Sequence, residues 1–294
     1  MIAAQTTTRD FESELAFEYN RVRTNGVTLQ VVTLGPIDGP LVILLHGFPD
    51  FSYGWRKQAA FLAEQGYRVW VPDQRGYNQS DKPDGIDAYR IETLVKDVIG
   101  LMDAAGHKSA YLVGHDWGAS VAWMTAILYP ERVDKLVVMN APHPKVFAEA
   151  LRHSIRQVLK SGYMAFFQLP RLPEAFMRHF GLKMLLNSAH ADTFKDADMD
   201  EYMWAWNQPG ALTAMINGYR AMIQRPTPLP EYTRLHMPTL ILWSRQDTHL
   251  TLQMARESLK LCAEGQLVLF NHASHWVQDD EPARVNDLLE EFLM

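Results

Sequence analysis

The sequence is poor in cysteine, in basic excess and in long apolar runs, and each shortage removes a class of protein. Cys262 is the only cysteine among 294 residues, so an internal disulfide is excluded and a reducing, cytoplasmic setting is the expectation. Cys262 itself reads as a half-buried helix residue. Net charge is -6, with 28 Lys and Arg against 34 Asp and Glu, which argues against nucleic acid or an anionic membrane as partner. No apolar run approaches the ~20 residues that span a bilayer. Met1 to Thr8 has neither the charged start nor the apolar core of a signal peptide. Metal-ligand spacing is missing too: His272 and His275 stand close together without an evident third ligand.

What is present is ordinary globular composition, 47% hydrophobic and 21% charged, long enough for one large α/β domain or two ordinary ones. Residues 1 to about 20 are polar and acidic without periodicity and are expected to form a surface arm. Arg21 to Leu34 reads as two short strands turned at Asn25-Gly26. Leu41-Val42-Ile43-Leu44-Leu45 is a continuous apolar run between turn residues, which suits a strand buried on both faces. Further strands are predicted over 67–72, from Ser109 to the Gly114 turn, and over 133–139, 239–243 and 266–270. Helical spacing covers Trp55 to Gln65, Ile91 to Ala105, Thr248 to Leu261 and about Pro282 to Phe292. This alternation argues for a mostly parallel sheet with helices on both faces. From Val146 to about Tyr232 there is no strand candidate, only helical patterns interrupted by Pro170, Pro173 and Pro209. The expected organisation is a core of residues 1–141 and 233–294, with an inserted all-helical lid of residues 142–232.

The stretch Tyr111-Leu112-Val113-Gly114-His115-Asp116-Trp117-Gly118 runs from an apolar strand through Gly-x-Asp-x-Gly into a helix. Small residues at 114 and 118 permit a turn tight enough to thrust out the residue between them. Hydrolases built on such an elbow usually place Ser there; here it is Asp116. A carboxylate is ionised at pH 7 and needs no base to attack carbon. Other strand ends carry His46-Gly47-Phe48-Pro49, then Asp247, then His275. Open parallel sheets gather function at such ends, and the order nucleophile, acid, histidine is a hydrolase order. Each residue also has a plainer role open to it: Asp116 and Asp247 as helix caps, His275 as a loop histidine. His46, His115, Asp73 and Arg75 are expected to hold loops rather than react.

On these residues the chain resembles the epoxide hydrolases of the α/β-hydrolase fold. The likeness rests on His46-Gly47-Phe48-Pro49, Asp73-x-Arg75-Gly76-Tyr77-x-x-Ser80, Gly114-His115-Asp116-Trp117-Gly118, Tyr129-Pro130-Glu131-Arg132-Val133 and Ala273-Ser274-His275-Trp276. It covers roughly residue 25 to the end, and Ser274 stands where members usually have Gly. The resemblance implies Asp116 as nucleophile, with His275 oriented by Asp247 to activate water. It implies an oxyanion hole from the main-chain N–H groups of Phe48 and Trp117. Two lid tyrosines that donate to the epoxide oxygen match Tyr163 and Tyr219, with Gly218 where an aromatic residue is common. Phe48, Trp117, Tyr163 and Tyr219 are the implied substrate-binding side chains. The implied reaction turns a small-molecule epoxide and water into a vicinal diol without metal or organic cofactor. A homo-oligomer is left open.

A haloalkane dehalogenase would use the same aspartate, but halide wants two N–H donors. Trp117 supplies one indole, Phe48 has no side-chain donor, and a lid indole such as Trp204 is the candidate substitute. A fluoroacetate dehalogenase shares Phe48-Pro49 but usually has Arg where Trp117 stands. A small-molecule receptor on the same fold is the non-catalytic alternative. Met164, Phe166, Phe167, Trp204 and Trp206 read equally as pocket lining or lid core.

Overall fold

Strand residues that alternate between two cores organise the structure, a computed structural model that describes residues 17–231 and 233–294. The strands are β1 (Glu18–Thr24), β2 (Val27–Leu34), β3 (Leu41–Leu45), β4 (Arg68–Pro72), β5 (Ala110–His115), β6 (Val133–Met139), β7 (Thr239–Ser244) and β8 (Gly265–Phe270). They form one sheet in the order β1-β2-β4-β3-β5-β6-β7-β8, antiparallel at β1/β2 and β2/β4 and parallel elsewhere. Ile43, Leu45, Leu112, Val138 and Ile241 enter one core, while Val42, Leu44, Val113, Val137 and Leu240 enter the other. That period of two puts an apolar side chain on each face, so both faces need a cover.

Helices supply it. Against the first face lie α2 (Ile91–Ala104), α3 (Trp117–Leu128) and later α10 (Leu252–Leu259), through Val95, Trp123 and Met254. Against the second lie α1 (Arg56–Glu64) and α12 (Pro282–Leu293), through Leu62, Val285 and Leu289. Full burial of each such side chain stabilises by about 1.5–3 kcal/mol. A single turn, α11 (Val277–Asp280), precedes α12.

Between β6 and β7 the described residues contain helices and no strand: α4 (Pro144–His153), α5 (Ile155–Lys160), α6 (Gly162–Phe166), α7 (Leu172–Asn187), α8 (Asp196–Trp206) and α9 (Ala211–Gln224). Pro173 sits in the first turn of α7, where its missing N–H costs nothing. Phe167, Met177, Tyr202, Trp206 and Ile216 from this segment join Phe48, Phe51 and Trp276 from the sheet side in a third apolar cluster. Polar pins cross the same boundary: Trp206 Nε1–H donates to Pro49 O at 2.6 Å and Tyr202 OH to Asp50 Oδ1 at 2.9 Å.

Three expectations change. The arm expected at the amino terminus lies outside the described residues up to 16, and Glu18–Asn20 already belong to β1, because Asn20 pairs with Val31. The helix expected over 248–261 is confined to Leu252–Leu259, because the chain first turns around the Asp247 carboxylate. Cys262 lies past that helix, buried and bridged to Leu235.

Candidate active site

The carboxyl end of β5 meets the start of α3 at Asp116, whose φ of 49° and ψ of -116° are a strained conformation for a side-chain-bearing residue. Glycine is required on both sides of it. A Cβ at Gly118 would stand 2.0 Å from Leu45 O, and one at Gly114 2.6 Å from Ala119 N. A third glycine lets the neighbouring loop close in: a Cβ at Gly47 would lie 2.6 Å from the Asp116 Cβ. The Phe48 N–H thereby donates to Asp116 Oδ1 at 2.9 Å.

The other carboxylate oxygen, Oδ2, lies 3.5 Å from His275 Nε2, and His275 Nδ1 lies 2.8 Å from Asp247 Oδ2. Asp247 is saturated: Asn140 Nδ2 also donates to Oδ2 at 2.8 Å, while the N–H groups of His249 and Leu250 donate to Oδ1 at 2.7 and 2.8 Å. The cap role and the orienting role therefore coexist in one side chain. Burial opposes charge on His275, but the carboxylates of Asp247 and Asp116 outweigh it and lift its pKa well above the ordinary imidazole range. Burial likewise opposes ionisation of Asp116, yet His275 and the Phe48 N–H hold its carboxyl below the usual range. The resting site is thus a cation between two anions.

Its surroundings hold loops. His46 Nε2 accepts from the Gln74 N–H at 3.0 Å with Nδ1 2.9 Å from Gly47 O, and His115 Nε2 lies 2.9 Å from His275 O. Burial pushes both histidines down, to about 4 and about 3, so they stay neutral. Asp73 accepts from the Ser52 N–H at 2.9 Å and Asn78 Nδ2 at 2.7 Å, and Arg75 forks onto Asp97.

Across from Asp116, Tyr163 of α6 and Tyr219 of α9 face each other with ring centroids 5.6 Å apart. Tyr219 also packs edge-on against Trp117 and Phe48, at 5.2 and 5.1 Å. Its neighbour Arg220 fixes α9 by binding Glu174 at 2.8 and 3.2 Å and the carbonyls of Phe167 and Leu169. Burial first, then the Asp116 charge, raises the Tyr163 pKa; burial, Tyr163 and Asp116 raise that of Tyr219. Both phenols stay protonated at neutral pH. Asp116, Trp117, Tyr163 and Tyr219 line one cavity of about 720 Å³, continued by apolar residues such as Met164 and Phe147. Phe48 and His275 do not themselves line it.

Phe167 and Trp206 belong to the buried cluster, whereas Trp204 is 48% exposed and lines no part of the cavity. The indole considered as a second halide donor is therefore turned away. Two neighbours of the charged trio escaped the sequence. Asn140, with φ of 45°, accepts from Ser244 N–H through Oδ1 while donating to Asp247. His249 packs its ring 5.0 Å from that of His275. A polar residue directly after β6, in a sheet whose strand ends carry the chemistry, was the available signal for Asn140.

Residues 40–282 match the family model described as alpha/beta hydrolase fold. Human epoxide hydrolase 4 is 37% identical over 286 residues, covering 94% of this chain and 78% of that protein. The AB hydrolase superfamily protein YfhM of Bacillus subtilis is 45% identical over 277 residues, with 92% and 96% covered. Among solved structures, epoxide hydrolase A from Mycobacterium thermoresistibile superposes with a TM-score of 0.83 at 30% identity, over 95% of this chain and 98% of that one. The chain belongs to the epoxide hydrolases of the α/β-hydrolase fold. An aspartate nucleophile is typical of this epoxide hydrolase family, and the strained residue at the elbow here is Asp116. The fold and family that the motifs suggested are those the comparisons give.

Proposed function

We propose that this chain converts epoxides to vicinal diols through an ester on Asp116. The observation that carries the proposal is the arrangement of Asp116 in one cavity with two protonated phenols, Tyr219 buried and Tyr163 half-buried. Oδ1 is engaged by the Phe48 N–H, so Oδ2, 3.5 Å from His275 Nε2, is the oxygen that attacks. Attack on a ring carbon forms the C–Oδ2 bond and breaks the ring C–O bond. The electron pair leaves on the epoxide oxygen, where Tyr163 and Tyr219 donate hydrogen bonds and a proton. Such an oxygen is a poor leaving group without them.

Esterification removes the Asp116 charge, and with it one of the two anions that keep His275 cationic. His275 gives up the proton of that cation, which restores the phenol that donated to the ring oxygen, and its Nε2 is then free to take a proton from water while Asp247 holds Nδ1. Hydroxide adds to the ester carbonyl, and charge gathers on Oδ1 before the main-chain N–H groups of Phe48 and Trp117. Collapse breaks the Cγ–Oδ2 bond; Oδ2 leaves in the diol with the proton of the new carboxyl group, which returns Asp116 to its charged form. We assign residues 142–232 as a lid that supplies the phenols and the apolar wall; Tyr232 lies outside the described residues. The single buried thiol fits a cytoplasmic setting.

The test is diol formation from a panel of aryl and alkyl epoxides, run beside halide release from chloroalkanes. Diol without halide is expected, because Phe48 offers halide no side-chain donor and Trp204 faces outward. Halide release at comparable rates would reverse the assignment. Asp116→Asn should abolish turnover; a receptor would keep ligand binding as its whole activity with no turnover in either form.

A further inference from the structure

His249 packs against two partners of the proposed chemistry, His275 and Tyr163. Its ring stands edge-on to His275, with centroids 5.0 Å apart and planes at 76°, and edge-on to Tyr163, at 5.9 Å and 77°. Its main chain is anchored at both ends. The N–H donates to Asp247 Oδ1 at 2.7 Å, and the carbonyl accepts from Gln157 Nε2 at 2.9 Å. Gln157 is fully buried in α5 and also accepts from the Thr251 N–H. Lys160, one turn on, donates to Asp247 O at 3.0 Å and Thr248 O at 2.6 Å, and Tyr163 follows three residues later. One short stretch, 157–163, thus grips the loop that carries the acid and also supplies a phenol.

We propose that His249 is a positioning residue for both half-reactions, its planar ring setting the distance between His275, the water-activating base, and Tyr163, the ring-opening donor. The proposal rests on the roles given above to Asp116, His275 and Tyr163. A neutral ring is what this place requires. Charge on His249 would oppose the His275 cation beside it, and burial together with that cation lowers the His249 pKa to about 4. The ring therefore works by shape and contact rather than as a proton carrier. Constellations of this kind need placement within about 0.5 Å, and a misplacement of about 1 Å costs on the order of 10²-fold in rate.

The experiment is rapid-quench mass spectrometry of the ester in single turnovers of wild type, His249→Ala and His249→Phe. The two rates, formation and decay, are read separately, with KM and kcat from steady state. His249→Ala is expected to slow both steps by roughly 10–100-fold. His249→Phe, which restores a planar ring without its nitrogens, should return both to within about threefold of wild type. A residue that serves stability alone would lower Tm and leave the rates per active site unchanged, and that result overturns the proposal. So does an alanine variant with either step intact. Should His249→Ala not fold, His249→Leu fills the volume without a planar edge and must show the same double loss. A wild type that forms no ester refutes the assigned reaction instead. The crystal structure of the variant then decides the inference by itself: the His275 and Tyr163 rings must shift relative to one another by more than about 0.5 Å.

Discussion

Replacing Asp247 with Asn separates the two halves of the reaction, because it removes a charge while keeping a shape. The carboxylate accepts four hydrogen bonds, two on each oxygen: from His275 and Asn140 on Oδ2, and from the N–H groups of His249 and Leu250 on Oδ1. An amide has one oxygen, so its NH2 group must face either the two main-chain donors or the pair His275 and Asn140. Asn140 has no relief to give, since its own Oδ1 accepts from Ser244 N–H. The better orientation turns the NH2 group to His275, whose neutral Nδ1 can accept from it, and leaves the Asn140 donor unpaired, a destabilisation of about 1–3 kcal/mol. The larger effect is on His275. Asp247 is the foremost cause of its raised pKa, and without that charge the imidazole loses both its basicity and its fixed tautomer. Ester formation needs Asp116 and the phenols, and should fall modestly. Ester decay needs an oriented base and should fall by about 10²–10⁴-fold. Single-turnover mass spectrometry of Asp247→Asn should therefore show the protein heavier by one substrate, persisting long after substrate is consumed. Decay within about threefold of wild type, in a folded variant, would refute the orienting role.

The tyrosines act on the other half. Tyr163→Phe and Tyr219→Phe should each slow ester formation while the remaining phenol carries part of the load, and the double variant should lose about 10²–10⁴-fold, with ester decay little changed. Since burial raises both phenol pKa values, ester formation should not decline through pH 10, where an exposed phenol would ionise; a pH-rate profile falling with a midpoint there contradicts the acid role. A separate prediction concerns the boundary between α8 and the sheet. Burial and repulsion from Asp279 raise Asp50 to about 8, and burial foremost raises Asp279 to about 7. The folded chain thus holds protons that the unfolded chain, with carboxyls near their ordinary values, has released. Stability should fall as pH rises from about 4 to about 8. Asp50→Asn keeps an oxygen for Tyr202 OH and removes the ionisation, so denaturant unfolding should show a flatter pH slope; an unchanged slope refutes the buried-acid account.

Much of this was legible in the sequence, for identifiable reasons. Leu41–Leu45 could hardly be anything but a doubly covered strand, and Gly114 and Gly118 around Asp116 required a close approach that the structure meets at Leu45 O and Ala119 N. The strand-end rule found Asp247 and His275, because sequence order alone puts them at neighbouring ends of β7 and β8. What stayed hidden depends on geometry across long separations. Asn140 meets Asp247 over 107 positions, and no pattern local to either residue encodes that. His249 looked like part of a helix because its apolar neighbours keep helical spacing, whereas the Asp247 side chain captures two N–H groups and delays the helix to Leu252. Trp204 and Trp206 are the same residue two positions apart, but helical rotation sends Trp206 to Pro49 and Trp204 to solvent. Periodicity ranks faces; it does not say which face the sheet will take.

The central claim is that carbon bonds to the enzyme before water acts, and isotope placement tests it most directly. A single turnover in heavy-oxygen water, with enzyme in excess, followed by peptide mass spectrometry, should put the label in the Asp116 carboxylate and leave the first diol unlabelled. Label in the first diol with none in Asp116 would mean that water attacks the epoxide itself, and the covalent account would be wrong.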